Sequence, residues 1–197
     1  MMISANMVSC VPFQVSAYRG NEPVLQNRLE YLSNLISNWT REAVERGEPL
    51  LIQEQERVFN QLRLGLCALL LGHNQNPCGF ATTYESGQND GLQWWELGSV
   101  FVPPEYRDRK LGFEIYRAIS VLHPTGVLVH TTKNPKVVHI ANVLGFVTLS
   151  YVDLPHTVRV PLCYEASCFD QCGDNSCRLE HNLEGPCVTQ VRWPLFH

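Results

Sequence analysis

Two rhythms of hydrophobic residues run along the chain. Between Asn21 and Gly47 apolar side chains recur every three to five positions. Leu25, Leu29, Leu32, Ile36, Trp39 and Val44 fall on one stripe of a helix that Asn21-Glu22-Pro23 opens and Gly47 ends. Gln53 to Leu64 predicts a second helix, with Val58, Phe59 and Leu62 inward, and Val11 to Tyr18 alternates as a first strand. From Gly65 the period shortens. Leu66 to Gly72 is a short apolar run, Asn74 to Pro77 is turn chemistry, and Cys78 to Glu85 is the return strand of a hairpin. Ser86 to Gly91 is polar and predicts a loop. Gln93 to Val102 predicts the next strand, with Trp94, Glu96, Gly98, Val100 and Val102 on one face and Trp95, Leu97, Ser99 and Phe101 on the other.

Pro103-Pro104 stops that strand. Lys110 to Val121 predicts a helix, Val127 to Thr131 a buried strand, and Pro135 to Leu144 a short helix ending at Gly145. Phe146 to Val152, Thr157 to Leu162 and Val188 to Trp193 complete the strands. The sum is an α/β (α+β) fold, with helices on both faces of a mixed sheet.

Composition narrows the class. A chain of 197 residues, 45% hydrophobic and 17% charged, can bury a real core and predicts one domain over 1–197. A net charge of −4 argues against a nucleic-acid partner, and the nearest basic run, Arg107 to Lys110, is too short for a duplex footprint. Met1 to Cys10 carries no secretory pattern, and the apolar run Leu64 to Leu71 is too short to span a bilayer. A cytoplasmic protein with no membrane partner is therefore expected. The oligomeric state is not legible. Without a secretory signal, the eight cysteines do not predict a disulfide framework.

The chemistry concentrates where a strand runs through a tight loop into a helix, from Glu96 to Gly112. Such a loop points several backbone N–H groups at one spot, and the helix N-terminus adds partial positive charge, which suits a pyrophosphate. The glycine spacings of a dinucleotide fold and of a P-loop are both absent. Val102-Pro103-Pro104-Glu105-Tyr106-Arg107, followed by Lys110 and Gly112, resembles instead the central motif of the GNAT superfamily of N-acetyltransferases. Downstream, Asn134 stands eleven positions before Gly145 in Leu144-Gly145-Phe146, a second pattern of that superfamily.

The resemblance implies a central mixed, mostly antiparallel sheet flanked by helices, and acetyl-CoA or another acyl-CoA as co-substrate. It implies that backbone groups of Val100, Phe101 and Val102 pair with the pantetheine amides. Arg107, Asp108, Arg109, Lys110, Leu111 and Gly112 would hold the phosphates, and Asn134 would lie by the pantetheine arm. Two positions depart from the superfamily pattern: Lys110 stands where it usually has Gly, and Ala141 where it often has the Tyr that protonates the leaving thiolate. Water, His139 and Tyr116 remain as other acids, or the thiolate leaves unassisted. An acceptor amine must lose a proton before it attacks. Glu96 is the candidate base and His130, on the neighbouring strand, the reserve. The acceptor is a small-molecule or peptide amine. The alternative is a degenerate relative that binds acyl-CoA or a protein without turnover.

Five cysteines fall between Cys163 and Cys187. Cys168 and Cys172 are four apart, as are Cys177 and His181, and those four side chains form a candidate zinc set. Free thiols in a polar surface excursion, or a local disulfide, are the other readings. A zinc-stabilised interaction protein is the third functional alternative.

Overall fold

The computed structural model describes residues 9–12, 21–48, 52–72, 76–107, 110–132, 134–150, 153–158 and 188–194. They form seven strands, β1 (Ser9–Pro12), β2 (Cys67–Leu71), β3 (Pro77–Asn89), β4 (Leu92–Phe101), β5 (Val127–Thr132), β6 (Val147–Leu149) and β7 (Val188–Arg192), and four helices, α1 (Glu22–Glu45), α2 (Gln55–Arg63), α3 (Leu111–Ser120) and α4 (Pro135–Val143). The strands hydrogen-bond in the order β1-β2-β3-β4-β5-β7-β6. β4 and β5 run parallel, whereas β1–β2, β2–β3, β5–β7 and β6–β7 are antiparallel. This is the mixed, mostly antiparallel α/β sheet with flanking helices that the sequence predicts. The chain divides into two units, Met1–Thr82 with Ser99–Leu122, and Thr83–Gly98 with His123–His197.

In the first unit the α1 stripe does what its spacing predicts through Trp39, but near the helix end Ala43 rather than Val44 enters the core. Leu29, Leu32 and Ile36 are buried with Val58 and Leu62 of α2 against Cys67, Leu69, Phe80 and Phe101 of the strands. Each such side chain contributes roughly 1.5–3 kcal/mol of burial. Thr40, also buried, accepts the Gln53 N–H at 2.9 Å and so ties α1 to the lead-in of α2. Ala68 and Leu70 alternate to the other face of β2, and α3 packs against β1 and β2. The first strand is placed at Ser9–Pro12; the rest of the expected Val11–Tyr18 run lies outside the described residues.

In the second unit Trp94, Val127, Val129, Leu154, Val158 and Val191 form a separate core. Three expectations change. The segment Ser86 to Gly91 is not a loop, because β3 continues to Asn89 and only Asp90-Gly91 turns the chain. Both turn residues have positive φ, 51° and 76°, the conformation of a two-residue hairpin for which Asp-Gly is the standard signal. The polar composition that predicts a loop is compatible with strand here because Thr157 Oγ1 donates to the Gln88 carbonyl at 3.0 Å. A Cβ on Gly87 would meet the Thr157 carbonyl oxygen at 2.7 Å. Second, residues 156–158 form a helical turn rather than the start of the expected Thr157–Leu162 strand, whose residues 159–162 lie outside the described residues, with Val158 N–H on the Pro155 carbonyl at 2.9 Å. Third, β6 spans Val147–Leu149 of the expected Phe146–Val152, whose residues 151–152 lie outside the described residues, and β7 inserts between it and β5. Among the described residues, no helix is long and apolar enough to cross a membrane.

Candidate functional site

The strand-loop-helix segment lies within the first unit. Phe101 anchors the end of β4: its ring packs against Trp39 and Phe80, each at 6.2 Å between centroids. Beneath it β3 approaches so closely that a Cβ on Gly79 would lie 2.9 Å from the Phe101 carbonyl oxygen and 2.7 Å from Leu70. Val100 and Val102 are half-buried. After Pro103 the chain makes a 3-10 turn, Pro104–Tyr106, in which the Tyr106 N–H bonds Pro103 O at 3.0 Å and the Arg107 N–H bonds Pro104 O at 3.2 Å.

The Arg107 side chain folds back over this turn. Its Nε donates to the Val102 carbonyl at 2.8 Å, its Nη2 donates to Glu48 Oε2 at 2.6 Å, and its guanidinium lies 5.8 Å from the Phe101 ring centroid. The carboxylate of Glu48 was not singled out from the sequence. It is 59 positions away, and nothing local marks it as a partner.

Asp108 and Arg109 lie outside the described residues. Lys110 is the residue before α3 and adopts φ 59°, ψ 15°, the left-handed region. The position where the superfamily pattern usually has Gly is thus one whose backbone favours Gly, and a side chain there costs roughly 1–2 kcal/mol. Leu111 is buried and Gly112 half-buried in the first turn of α3. The N–H groups of Lys110, Leu111 and Gly112 stand at the helix start, where no helical carbonyl can accept them. Lys110 is exposed and makes no ion pair among the described residues.

The remaining candidates lie in the second unit. Glu96 is buried, at 7% exposure, and pairs in parallel register with Val129. Register partners share a face, so the carboxylate is on the Trp94–Val129 face. His130 follows Val129 and turns to the opposite face. There its Nε2 bonds Gln190 Oε1 at 3.1 Å, its ring meets Phe146 edge-on at 5.3 Å, and Gln190 Nε2 donates to Asn142 Oδ1 at 2.7 Å. Burial lowers the His130 pKa to about 4, against a raising contribution from Gln190, so the ring is neutral at physiological pH. The structure does not bring Glu96 and His130 together.

Asn134 caps α4: its side-chain oxygen accepts the Lys136 N–H at 3.0 Å. At the other end Gly145, φ 83°, closes the helix, with Phe146 N–H on Ala141 O at 3.0 Å and Gly145 N–H on Asn142 O at 3.1 Å. The Asn…Leu-Gly-Phe spacing is therefore the start and stop of one helix. Ala141 is fully buried, His139 is exposed, and Tyr116 is buried on α3 with its phenol pushed up by desolvation. A second buried histidine, His123, stacks on Trp95 at 3.9 Å and bonds Thr83 Oγ1 at 2.7 Å; burial lowers its pKa to about 4. Cys163, Cys168, Cys172, Cys177, His181 and Cys187 lie outside the described residues, and among the described residues no cluster suited to a metal ion occurs.

No curated protein sequence matches the chain. Among solved structures, it resembles N-acetylglutamate synthase from Neisseria gonorrhoeae complexed with coenzyme A and N-acetyl-glutamate, at TM-score 0.58 and 19% identity, over 97% of this chain and 36% of that one. The chain thus spans about a third of that synthase. It also resembles mosquito arylalkylamine N-acetyltransferase like 5b, at TM-score 0.56 and 12% identity, over 94% of this chain and 99% of that one. The NatC complex bound to Gag peptide and CoA matches at TM-score 0.55 and 12% identity, over 96% of this chain and 99% of that one. At these identities the likeness is one of fold. The profile of the acetyltransferase (GNAT) family matches residues 29–146, more than half of the chain, and that match places the protein in the family.

Proposed function

We propose that the chain is an N-acyltransferase that moves an acetyl or similar acyl group from acyl-CoA to a primary amine of a small molecule or peptide. One observation carries the reading. The end of β4 leads through a 3-10 turn to a helix start where three main-chain N–H groups, of Lys110, Leu111 and Gly112, lack helical acceptors beside an exposed lysine. That arrangement suits a diphosphate. Family membership and the CoA-bound relatives point the same way.

In this scheme backbone groups of Val100, Phe101 and Val102 meet the pantetheine amides. The starting turn of α3, with Asp108 and Arg109 before it, takes the phosphates, and Asn134 lies by the pantetheine arm. Glu96 accepts the proton of the acceptor ammonium. The amine nitrogen bonds the thioester carbon, the C–S bond breaks and the thiolate departs, while the nitrogen's remaining extra proton passes to water and water protonates the thiolate. Tyr116 is a poor acid for that step, because its raised pKa lies above a thiol's ~8.5 and proton transfer would be uphill. A thiolate leaves tolerably without help near neutral pH, so Ala141 need not abolish turnover. His130, neutral and hydrogen-bonded on the other face, is better suited to holding β5 and β7 together than to replacing Glu96.

A second reading rests on Ala141: with no acid there, the chain is a module that binds acyl-CoA without turnover. Two measurements decide. Titration calorimetry with coenzyme A tests the binding reading. Free-thiol release from acetyl-CoA across a panel of amines tests catalysis; binding without release selects the second reading.

A further inference from the structure

We propose that Glu48 is a positioning residue for the acyl-CoA loop and acts through Arg107, whose guanidinium holds the loop rather than a phosphate. The proposal rests on the acyl-CoA reading above. The sequence pattern assigns Arg107 to the phosphates, but two of its five N–H donors are already committed. The Nε–Nη2 edge, the one that grips two acceptors side by side, is divided between the Val102 carbonyl at 2.8 Å and Glu48 Oε2 at 2.6 Å. Its plane lies near the Phe101 ring. Val102 precedes the 3-10 turn and Arg107 follows it, so the guanidinium clamps the turn shut from the side-chain end, while the Arg107 N–H to Pro104 O bond closes it along the backbone.

Glu48 is itself held. Its Oε1 accepts from Arg46, with Nη2 at 3.2 Å and Nε at 3.3 Å, leaving Oε2 for Arg107. The Glu48 side chain is 26% exposed and that of Arg107 39%, so the pair is only partly screened by solvent. Glu48 is shared by two guanidiniums, with Glu42 3.8 Å from Arg46 supplying the second negative charge, and the unpaired cation at the start of α3 among the described residues is Lys110. Glu48 therefore sets where the end of β4 and the 3-10 turn after it stand, before any ligand arrives.

The competing role has the opposite sign. If Arg107 were a phosphate ligand, Glu48 would compete with the phosphate, and removing its charge would tighten CoA binding. The experiment is titration of the full chain with coenzyme A and with phosphate-free pantetheine, for wild type, Glu48→Gln, Arg107→Gln and the double variant. Glu30→Gln, an exposed α1 position, controls for net charge. We expect each single variant to weaken both ligands by a similar factor, about fivefold, the double variant to be no weaker than the singles, and the control to match wild type. Tighter or unchanged CoA binding by Glu48→Gln overturns the proposal, as do additive losses or a loss by Arg107→Gln confined to CoA. A wild type that binds no coenzyme A overturns the acyl-CoA reading and this proposal with it.

Discussion

Glu96 and His130 stand on opposite faces of the sheet, because Glu96 pairs with Val129 and His130 is the next residue along β5. The two candidate bases, on neighbouring strands, therefore face different surroundings. Glu96→Gln should lower amine acetylation by about 10²-fold near neutral pH, the usual scale for a general base. The loss should shrink at high pH, where the acceptor amine is already deprotonated. Rate profiles from pH 6 to 10 check this, and a parallel displacement of the whole curve would remove Glu96 from the proton transfer.

His130 and His123 predict acid sensitivity. Both have folded pKa values lowered to about 4, against about 6.5 for the unfolded chain. Between those values the unfolded state binds more protons, so stability rises with pH there. The contribution is fully present above about pH 6.5 and is lost as pH falls toward 4; it is on the order of a few kcal/mol for the two rings. Urea unfolding at pH 7.5 and 5 should show the loss. In His130→Gln/His123→Gln, the dependence over that window should flatten.

Lys110 carries a backbone cost that glycine would not. Lys110→Gly should stabilise the ligand-free chain by about 1 kcal/mol, raising Tm by roughly 2–4 °C. A lower Tm would mean that the lysine stem packs usefully on the first turn of α3.

Gly79 has the reverse requirement. A methyl there would press on the Phe101 carbonyl and on Leu70. Gly79→Ala should therefore destabilise by about 1–3 kcal/mol, the range for overpacking. It should also weaken coenzyme A by displacing the end of β4. Chemical denaturation and calorimetry on the same sample read both effects.

Gly145→Val tests the stop of α4. A β-branched side chain at φ 83° is strained, and the cost is about 1–2 kcal/mol by thermal melting. An unchanged Tm would show that the helix end relaxes without loss.

What the chain's own order of residues settled is local. The α1 stripe, the Pro103 stop, the loop into α3 and the Asn134–Gly145 helix all follow from spacings of a few residues, because helix period and cap chemistry are short-range. The Asp90-Gly91 turn was equally local, but polar neighbours hid it. Tertiary structure decided what distance in sequence conceals. β7 lies between β5 and β6 because hydrogen bonds along a sheet edge carry no record of chain order. That Glu96 shares its face with Val129 and not with His130 follows from register, which a single strand cannot specify. Arg107 finds Glu48 rather than open solvent because the folded chain sets a carboxylate from the end of α1 beside the turn after β4, and the charge then goes to the nearest fixed partner.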